Sequence, residues 1–224
     1  MFTLDQVVPW GRSFDEYRRM FALTDADLQS RILGCADGPA SFNAEATRQG
    51  ASIVSCDPLY QSDAAQIRER IDATFDVMLE QTRNNHHEFV WTMFPSLEAL
   101  AAARQSAMDI FLADYDEGQR DGRYVNAALP SLPFPDGAFD LALCSHFLFL
   151  YSQLLDEAFH VAGMRELRRV AREVRVFPLL ALGGKPSPHV GAVIDAMRAD
   201  GHDVAVLTVA YEFQRGANQM LRIV

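Results

Sequence analysis

Two carboxylates, a serine–histidine pair and a turn of small residues hold the positions where this chain could do chemistry. Asp57 ends the apolar run Ala51-Ser52-Ile53-Val54-Ser55-Cys56, which reads as a strand. A carboxylate at such an end can accept both hydroxyl protons of a ribose. It lies about 20 residues beyond the turn Gly34-Cys35-Ala36-Asp37-Gly38-Pro39-Ala40, which follows the apolar run Arg31-Ile32-Leu33. Small residues there let the backbone approach a ligand, and the helix expected next aims its free N–H groups and positive dipole end at it. Pro39 suits the first helical position and Gly50 the residue just past the helix end. Ser145 and His146 follow a further apolar run, Ala138 to Cys144, at the carboxyl edge where open α/β sheets bind ligands. His146 is a candidate general base or hydrogen-bond donor; the alternative is a histidine satisfied by backbone at a strand end.

Other polar clusters read as structural. His86-His87 has no metal-ligating partner at suitable spacing and suits a solvated loop. Asp156 and His160, four apart on a helix, read as a surface pair. Gln214 and Arg215 stand in the last turn, within reach of a substrate opening. Cys35, Cys56 and Cys144 are odd in number and fall in strands or at strand ends, as reduced core residues of a cytoplasmic protein would; no metal site is expected.

The elements that must position these residues alternate strand and helix. A helix is expected from about Phe14, with Tyr17, Met20 and Phe21 on one face, and a short one from Thr24. These precede the first strand and either pad a sheet edge or fold over the ligand. Residues 58–121 are much longer than one crossover requires and read as a helical insertion. It holds a helix from Ser62 to about Arg83, with an apolar stripe Ile67, Ile71, Phe75, Met78 and Leu79, and another capped by Ser96 and running to about Ala113. Strands follow at Gly122–Asn126, Ala138–Cys144 and Val174–Leu180. A helix is expected from Ser152 to about Val170, and one started by Ser187-Pro188 and stopped by Gly201. Asp203–Ala210 and Asn218–Val224 are strands joined too briefly for a parallel crossover, which needs a dozen or more residues, so they are antiparallel. The pattern is five β-then-α units and a strand pair. It implies an α/β fold: a Rossmann-like doubly wound sheet, mostly parallel with an antiparallel C-terminal strand, in an α-β-α sandwich. The whole of 1–224 reads as a single domain, with 1–30 as a helical lid.

Composition is that of a globular chain: 224 residues, 49% hydrophobic and 22% charged. The net charge of −10 argues against broad binding to a phosphate backbone. No apolar run approaches the roughly 20 residues that span a bilayer, and MFTLDQVVPWGRSFDE lacks the layout of a signal peptide.

The turn after strand one, the acid after strand two, the terminal strand pair and the block Leu132-Pro-Phe-Pro-Asp-Gly-Ala-Phe-Asp140-Leu-Ala-Leu together resemble the class I S-adenosylmethionine (SAM)-dependent methyltransferases. More narrowly, WGRSFDEYRRMF, ILGCADGPASFNAE, LALCSHFLFLY and YEFQRGANQMLRI look like a bacterial group of this class with no assigned substrate. The resemblance implies SAM as cofactor, S-adenosylhomocysteine as product and a small-molecule acceptor, with a homodimer left open. It implies a cofactor site of Gly34, Ala36, Asp37, Gly38, Asp57, Pro58, Leu129 and Ser145. Arg12 and Tyr17 would meet the methionine carboxylate, and His146 would be catalytic if a base is needed. The family's turn usually reads acid-x-Gly-x-Gly-x-Gly. Here Gly34 stands in the acid's place, Ala36 and Ala40 replace two glycines, and Asp37 is the carboxylate available to the methionine ammonium. An added methyl is tolerable where φ is negative. After the third strand, Ala127-Ala128-Leu129 leaves adenine recognition to backbone and apolar packing. A SAM-binding domain without catalysis, acting as sensor or partner, is the main alternative; a nicotinamide-dependent oxidoreductase is the lesser one, because the turn does not fit G-x-G-x-x-G.

Overall fold

The computed structural model describes residues 7–224; the first six residues of the N-terminal lid and of the leader reading lie outside it. Seven strands form one sheet: β1 (Arg31–Cys35), β2 (Ser52–Cys56), β3 (Tyr124–Val125), β4 (Phe139–Ser145), β5 (Ala171–Phe177), β6 (Val204–Thr208) and β7 (Gln219–Ile223). Their order is β3-β2-β1-β4-β5-β7-β6, and β7 alone runs antiparallel to its neighbours. The chain leaves β1 toward β2 and β3, then returns to β4 on the other side. That places a topological switch point between the carboxyl ends of β1 and β4.

The strand alternation fills two cores. Ile32, Leu141 and Leu143 face one layer, with Phe14, Tyr17, Phe42 and Tyr211. Leu33, Ala142 and Cys144 face the other, with Met164, Leu167, Val193 and Met197. Successive side chains of a strand point to opposite faces, and both faces here are covered, so the central strands are apolar throughout. The first layer carries α1 (Phe14–Met20) and α2 (Phe42–Arg48). The second carries α5 (Glu157–Val170) and α6 (Val190–Ala199). The insertion folds as α3 (Ala64–Asn84) and α4 (Leu97–Arg120). Ile67, Ile71, Met108, Phe111, Tyr115 and Tyr124 give it a core of its own beside β3.

Several boundaries differ from the sequence reading, for local reasons. Pro39 does not open a helix: α2 starts at Phe42, three residues later, and has seven residues. The segment facing the ligand edge is therefore the turn itself, not a helix N-terminus. Asp63 caps α3 through a reciprocal pair with Gln66, displacing Ser62. Asp156 caps α5, so Ser152 ends a short 3₁₀ turn instead. Ser187 accepts from His189 N, and α6 begins at Val190. The α4 helix runs seven residues past Ala113. Thr24 shares hydrogen bonds with Asp27 at a 3₁₀ turn of three residues. The chain passes from β3 to β4 without a helix, so the five β-then-α units reduce to four. The terminal strand pair is antiparallel as expected, in register from Val204↔Ile223 to Thr208↔Gln219.

Candidate functional site

Two adjoining clefts lie over the carboxyl ends of β1, β2 and β4. The larger, about 1060 Å³, is lined by Arg12, Tyr17, Asp37, Ser145 and His146 on its floor, with Met78, Phe89, Leu150, Leu182 and Phe213 on its walls. The smaller, about 660 Å³, is lined by Cys35, Pro58, Leu59, Arg70, Ala127, Ala128 and Leu129. Ala36, Gly38, Asp57 and Phe147 border both.

The turn after β1 is held by the strand beside it. Ala36 N donates to Cys56 O at 2.8 Å, and Gly38 N donates to Asp57 Oδ2 at 2.9 Å. Asp57 Oδ1 accepts from Leu59 N at 2.8 Å. Each oxygen of Asp57 thus keeps a lone pair for the clefts it borders. Burial pushes this carboxyl above the usual range, while those two N–H groups pull it back. Gly38 has φ +51°, the left-handed region that glycine enters freely, and Tyr60 Oη donates to its carbonyl at 2.7 Å. Ala36 also has a positive φ, +56°, so the condition under which its methyl group would cost nothing is not met.

Asp37 sits at the base of the larger cleft, 8% exposed. Tyr17 Oη donates to Oδ1 at 2.7 Å and Ser55 Oγ donates to Oδ2 at 2.6 Å. Burial raises its pKa to about 6 against those two bonds, and the Asp57 charge adds to the rise. Its side chain folds back over Gly34, which pairs with Ser55 and Leu143 inside the sheet and lies beneath the cleft floor, off its lining.

β4 ends in a bend at His146, φ +51°, whose N–H donates to Phe177 O across to β5. Ser145 Oγ lies 2.9 Å from His146 Nδ1. Burial and the guanidinium groups of Arg12 and Arg104 hold this imidazole well below 6.5, so it is neutral at pH 7. Arg12 donates to Trp10 O at 3.1 Å, and its buried Nε has no hydrogen-bond partner.

Sequence reasoning passed over the support behind this floor. Arg104 of α4 and Glu16 of α1 are both buried and paired bidentately, with Nη2–Oε1 at 2.6 Å. Tyr211 Oη adds a bond to Glu16 Oε1 at 2.8 Å. Ser13-Phe-Asp-Glu16 carries a capping-box pattern that announces α1. Nothing local announces Arg104, 88 residues away.

Of the remaining readings, His160 is fully buried, not on the surface. Its Nδ1 meets Asp156 O at 2.7 Å and its Nε2 meets Leu148 O at 2.9 Å. It lies on α5, which packs it under the turn at Leu148 that follows β4. His86 and His87 are exposed, His86 stacking on Trp91 at 4.4 Å. Gln214 reaches the larger cleft, whereas Arg215 donates to Phe89 O and His87 O. The three cysteines are buried and free, side by side across β2, β1 and β4. Among the described residues no group of three ligating side chains could hold a metal, and no helix is long and apolar enough to cross a membrane.

No family model matches the chain. An uncharacterized protein of Methanocaldococcus jannaschii is 32% identical over 221 residues, 98% of this chain and 97% of that one. Among solved structures, the SAM-dependent methyltransferase of Aquifex aeolicus is 12% identical, with 87% of this chain and 80% of that one covered at a TM-score of 0.41. The magnesium protoporphyrin IX methyltransferase of Synechocystis PCC 6803, solved with bound SAM, is 11% identical, with 94% and 90% covered at a TM-score of 0.46.

Proposed function

The chain belongs to one family with the uncharacterized Methanocaldococcus jannaschii protein, and we propose that it is a SAM-dependent methyltransferase acting on a small-molecule acceptor. The observation that carries this reading is the placement of two carboxylates at the turn after β1, Asp37 held by Tyr17 and Asp57 by Gly38 N, at the switch point of a sheet ordered β3-β2-β1-β4-β5-β7-β6.

The residues present fit the cofactor. Asp57 would take the ribose hydroxyls, with Pro58, Ala127, Ala128 and Leu129 forming an apolar slot for the base. Asp37 would face the methionine ammonium. Arg12, with a buried Nε lacking a partner, would face its carboxylate. Tyr17 acts through Asp37, since its hydroxyl proton is already committed there. Ala36 and Gly38 form the turn's wall. Bound SAM supplies an electrophilic methyl group on a sulfonium. The protein's part is to exclude water and hold a nucleophile in line, and positioning alone can supply much of such a rate. The apolar walls around the larger cleft suit a small, mostly apolar acceptor.

Calorimetry with SAM, S-adenosylhomocysteine and NADH tests this. Binding of the first two but not the third is expected, followed by transfer from methyl-labelled SAM to a component of a metabolite extract. Failure to bind either SAM or its product overturns the reading. Binding without transfer would favour the sensor alternative.

A further inference from the structure

Two segments far apart in the chain are zipped together beside the larger cleft. Phe89 forms an antiparallel bridge with Gln214, Val90 N donates to Phe213 O at 2.7 Å, and Arg215 N donates to Glu88 O at 2.8 Å. These bonds join the link between α3 and α4 to the link between β6 and β7. They hold the Phe89 and Phe213 rings stacked, with centroids 4.8 Å apart and planes 23° from parallel. Trp91 and Phe94 meet Phe213 edge-on, at 5.5 and 5.3 Å. Phe213 is thus a fixed slab in the cleft wall, and Phe147, Tyr151 and Met78 line the same cleft.

Almost every polar side chain on the lining is already committed. Arg104 and Tyr211 are bound to Glu16. Tyr17 donates to Asp37, Thr82 donates to Met78 O at 2.8 Å, and Ser145 Oγ meets His146 Nδ1. Arg12, Asp37 and Asp57 go to SAM in the methyltransferase reading. Gln214 is uncommitted: its side chain has no hydrogen-bond partner among the described residues, and it lines the cleft. Gly184 passes beside it with φ +77°. A Cβ there would touch Gln214 Nε2 at 3.6 Å, so the glycine leaves the amide nitrogen uncovered.

Resting on the methyltransferase reading, we propose that the acceptor is an uncharged, flat aromatic ring whose edge sets a donor beside an acceptor, as a lactam does, and that Gln214 selects it by pairing with that edge. A primary amide offers an oxygen that accepts next to an NH₂ that donates. A ligand edge carrying both groups satisfies the two at once, as adenine does for a glutamine. A ligand without them leaves the amide bare among apolar walls and loses affinity. Charge is excluded by the same inventory. Once SAM holds Arg12, Asp37 and Asp57, no described side chain on the lining is a free ion able to balance an ammonium or a carboxylate. The aromatic walls favour a flat ring, because aromatic pairs gain more than their buried area alone and a rigid ring loses little freedom on binding. Plane and edge together leave the ring one orientation, which is what in-line transfer requires of its nucleophile.

Calorimetric titration of the full chain, saturated with S-adenosylhomocysteine, tests this with three probes. Carbostyril has the flat ring and the lactam edge. N-Methylcarbostyril keeps the ring but blocks the donor, and the fully saturated bicyclic lactam keeps the edge but not the aromatic plane. Carbostyril is expected to bind about 10-fold more tightly than either. Gln214→Leu, which leaves the backbone bridge to Phe89 in place, should weaken carbostyril by about 10-fold. Its affinities for N-methylcarbostyril and S-adenosylhomocysteine should stay as in the wild type. Absence of carbostyril binding, equal binding of carbostyril and either control, or an unchanged carbostyril affinity in Q214L overturns the acceptor assignment. Failure to bind S-adenosylhomocysteine overturns the function reading, and this inference with it.

Discussion

The carboxylate of Asp37 occupies the space that a side chain on Gly34 would need. A Cβ built on Gly34 would lie 1.8 Å from Asp37 Oδ2 and 2.5 Å from Asp37 Cγ. In the turn pattern this chain resembles, the acid stands at position 34; here the carboxylate comes from three residues further on, and the missing side chain at position 34 is what makes room for it. A carboxylate can reach one place at the base of the cleft from either position, but not from both.

Gly34→Ala should therefore displace the Asp37 carboxylate from Tyr17 and Ser55. Losing a charge-assisted contact costs about 1.5–3 kcal/mol, which is roughly 10- to 100-fold in SAM affinity. The double change Gly34→Asp with Asp37→Gly should bind more tightly than Gly34→Ala alone. Calorimetric titration with SAM checks both; a G34A protein that binds like wild type would refute the link.

Burial of Asp37 should cost stability in a definite pH window. Its folded pKa of about 6 lies above the ordinary 3.8, so the folded chain holds a proton that the unfolded chain releases. Stability then falls as pH rises from about 4 to about 6, by up to about 3 kcal/mol from this group. Asp37→Asn should be more stable than wild type at pH 7.5, lose that advantage at pH 4 and bind SAM poorly. Chemical denaturation at the two pH values is the measurement.

Ala36 is held in the left-handed region at φ +56° with its N–H bonded to Cys56 O. For a residue with a Cβ that conformation costs roughly 1–2 kcal/mol. Ala36→Gly removes the strain but adds about 0.4–1 kcal/mol of unfolded-chain freedom. The net expectation is a stabilisation between about zero and about 1.6 kcal/mol, seen as a higher unfolding midpoint.

What could be read from the sequence follows from how local each cause is. The strand alternation that sends Ile32 and Leu33 to opposite cores is local, as is the brevity of the link before Gln219. Those features gave the sheet and the positions of Asp57, Ser145 and His146 at its carboxyl edge, but not the strand order that makes the switch point. Helix starts depended on which of two neighbouring polar residues caps, and Asp63 and Asp156 displaced Ser62 and Ser152. The placement of Asp37 over Gly34 was readable only as a substitution in a pattern. The ion pair behind the floor was not readable, because Glu16 and Arg104 meet only once α4 of the insertion packs against α1.

That ion pair makes the sharpest stability prediction. Arg104 and Glu16 have side chains 1% and 4% exposed, so neither charge has water to replace a lost partner. Burial alone would raise the Glu16 carboxyl, but Arg104 overrides it, and the pKa falls from 4.5 to about 2. A lowered carboxyl stabilises above its unfolded pKa, so this contribution is intact at neutral pH and is lost as pH falls from about 4.5 to about 2. Arg104→Met should strand Glu16 and cost about 3–5 kcal/mol at pH 7. Pairing it with Glu16→Gln should recover part of that loss, because no buried charge is then left alone. Equilibrium unfolding of the two single variants and the double variant at pH 7 decides it. A double variant as unstable as the sum of the singles would show that the pair is not coupled.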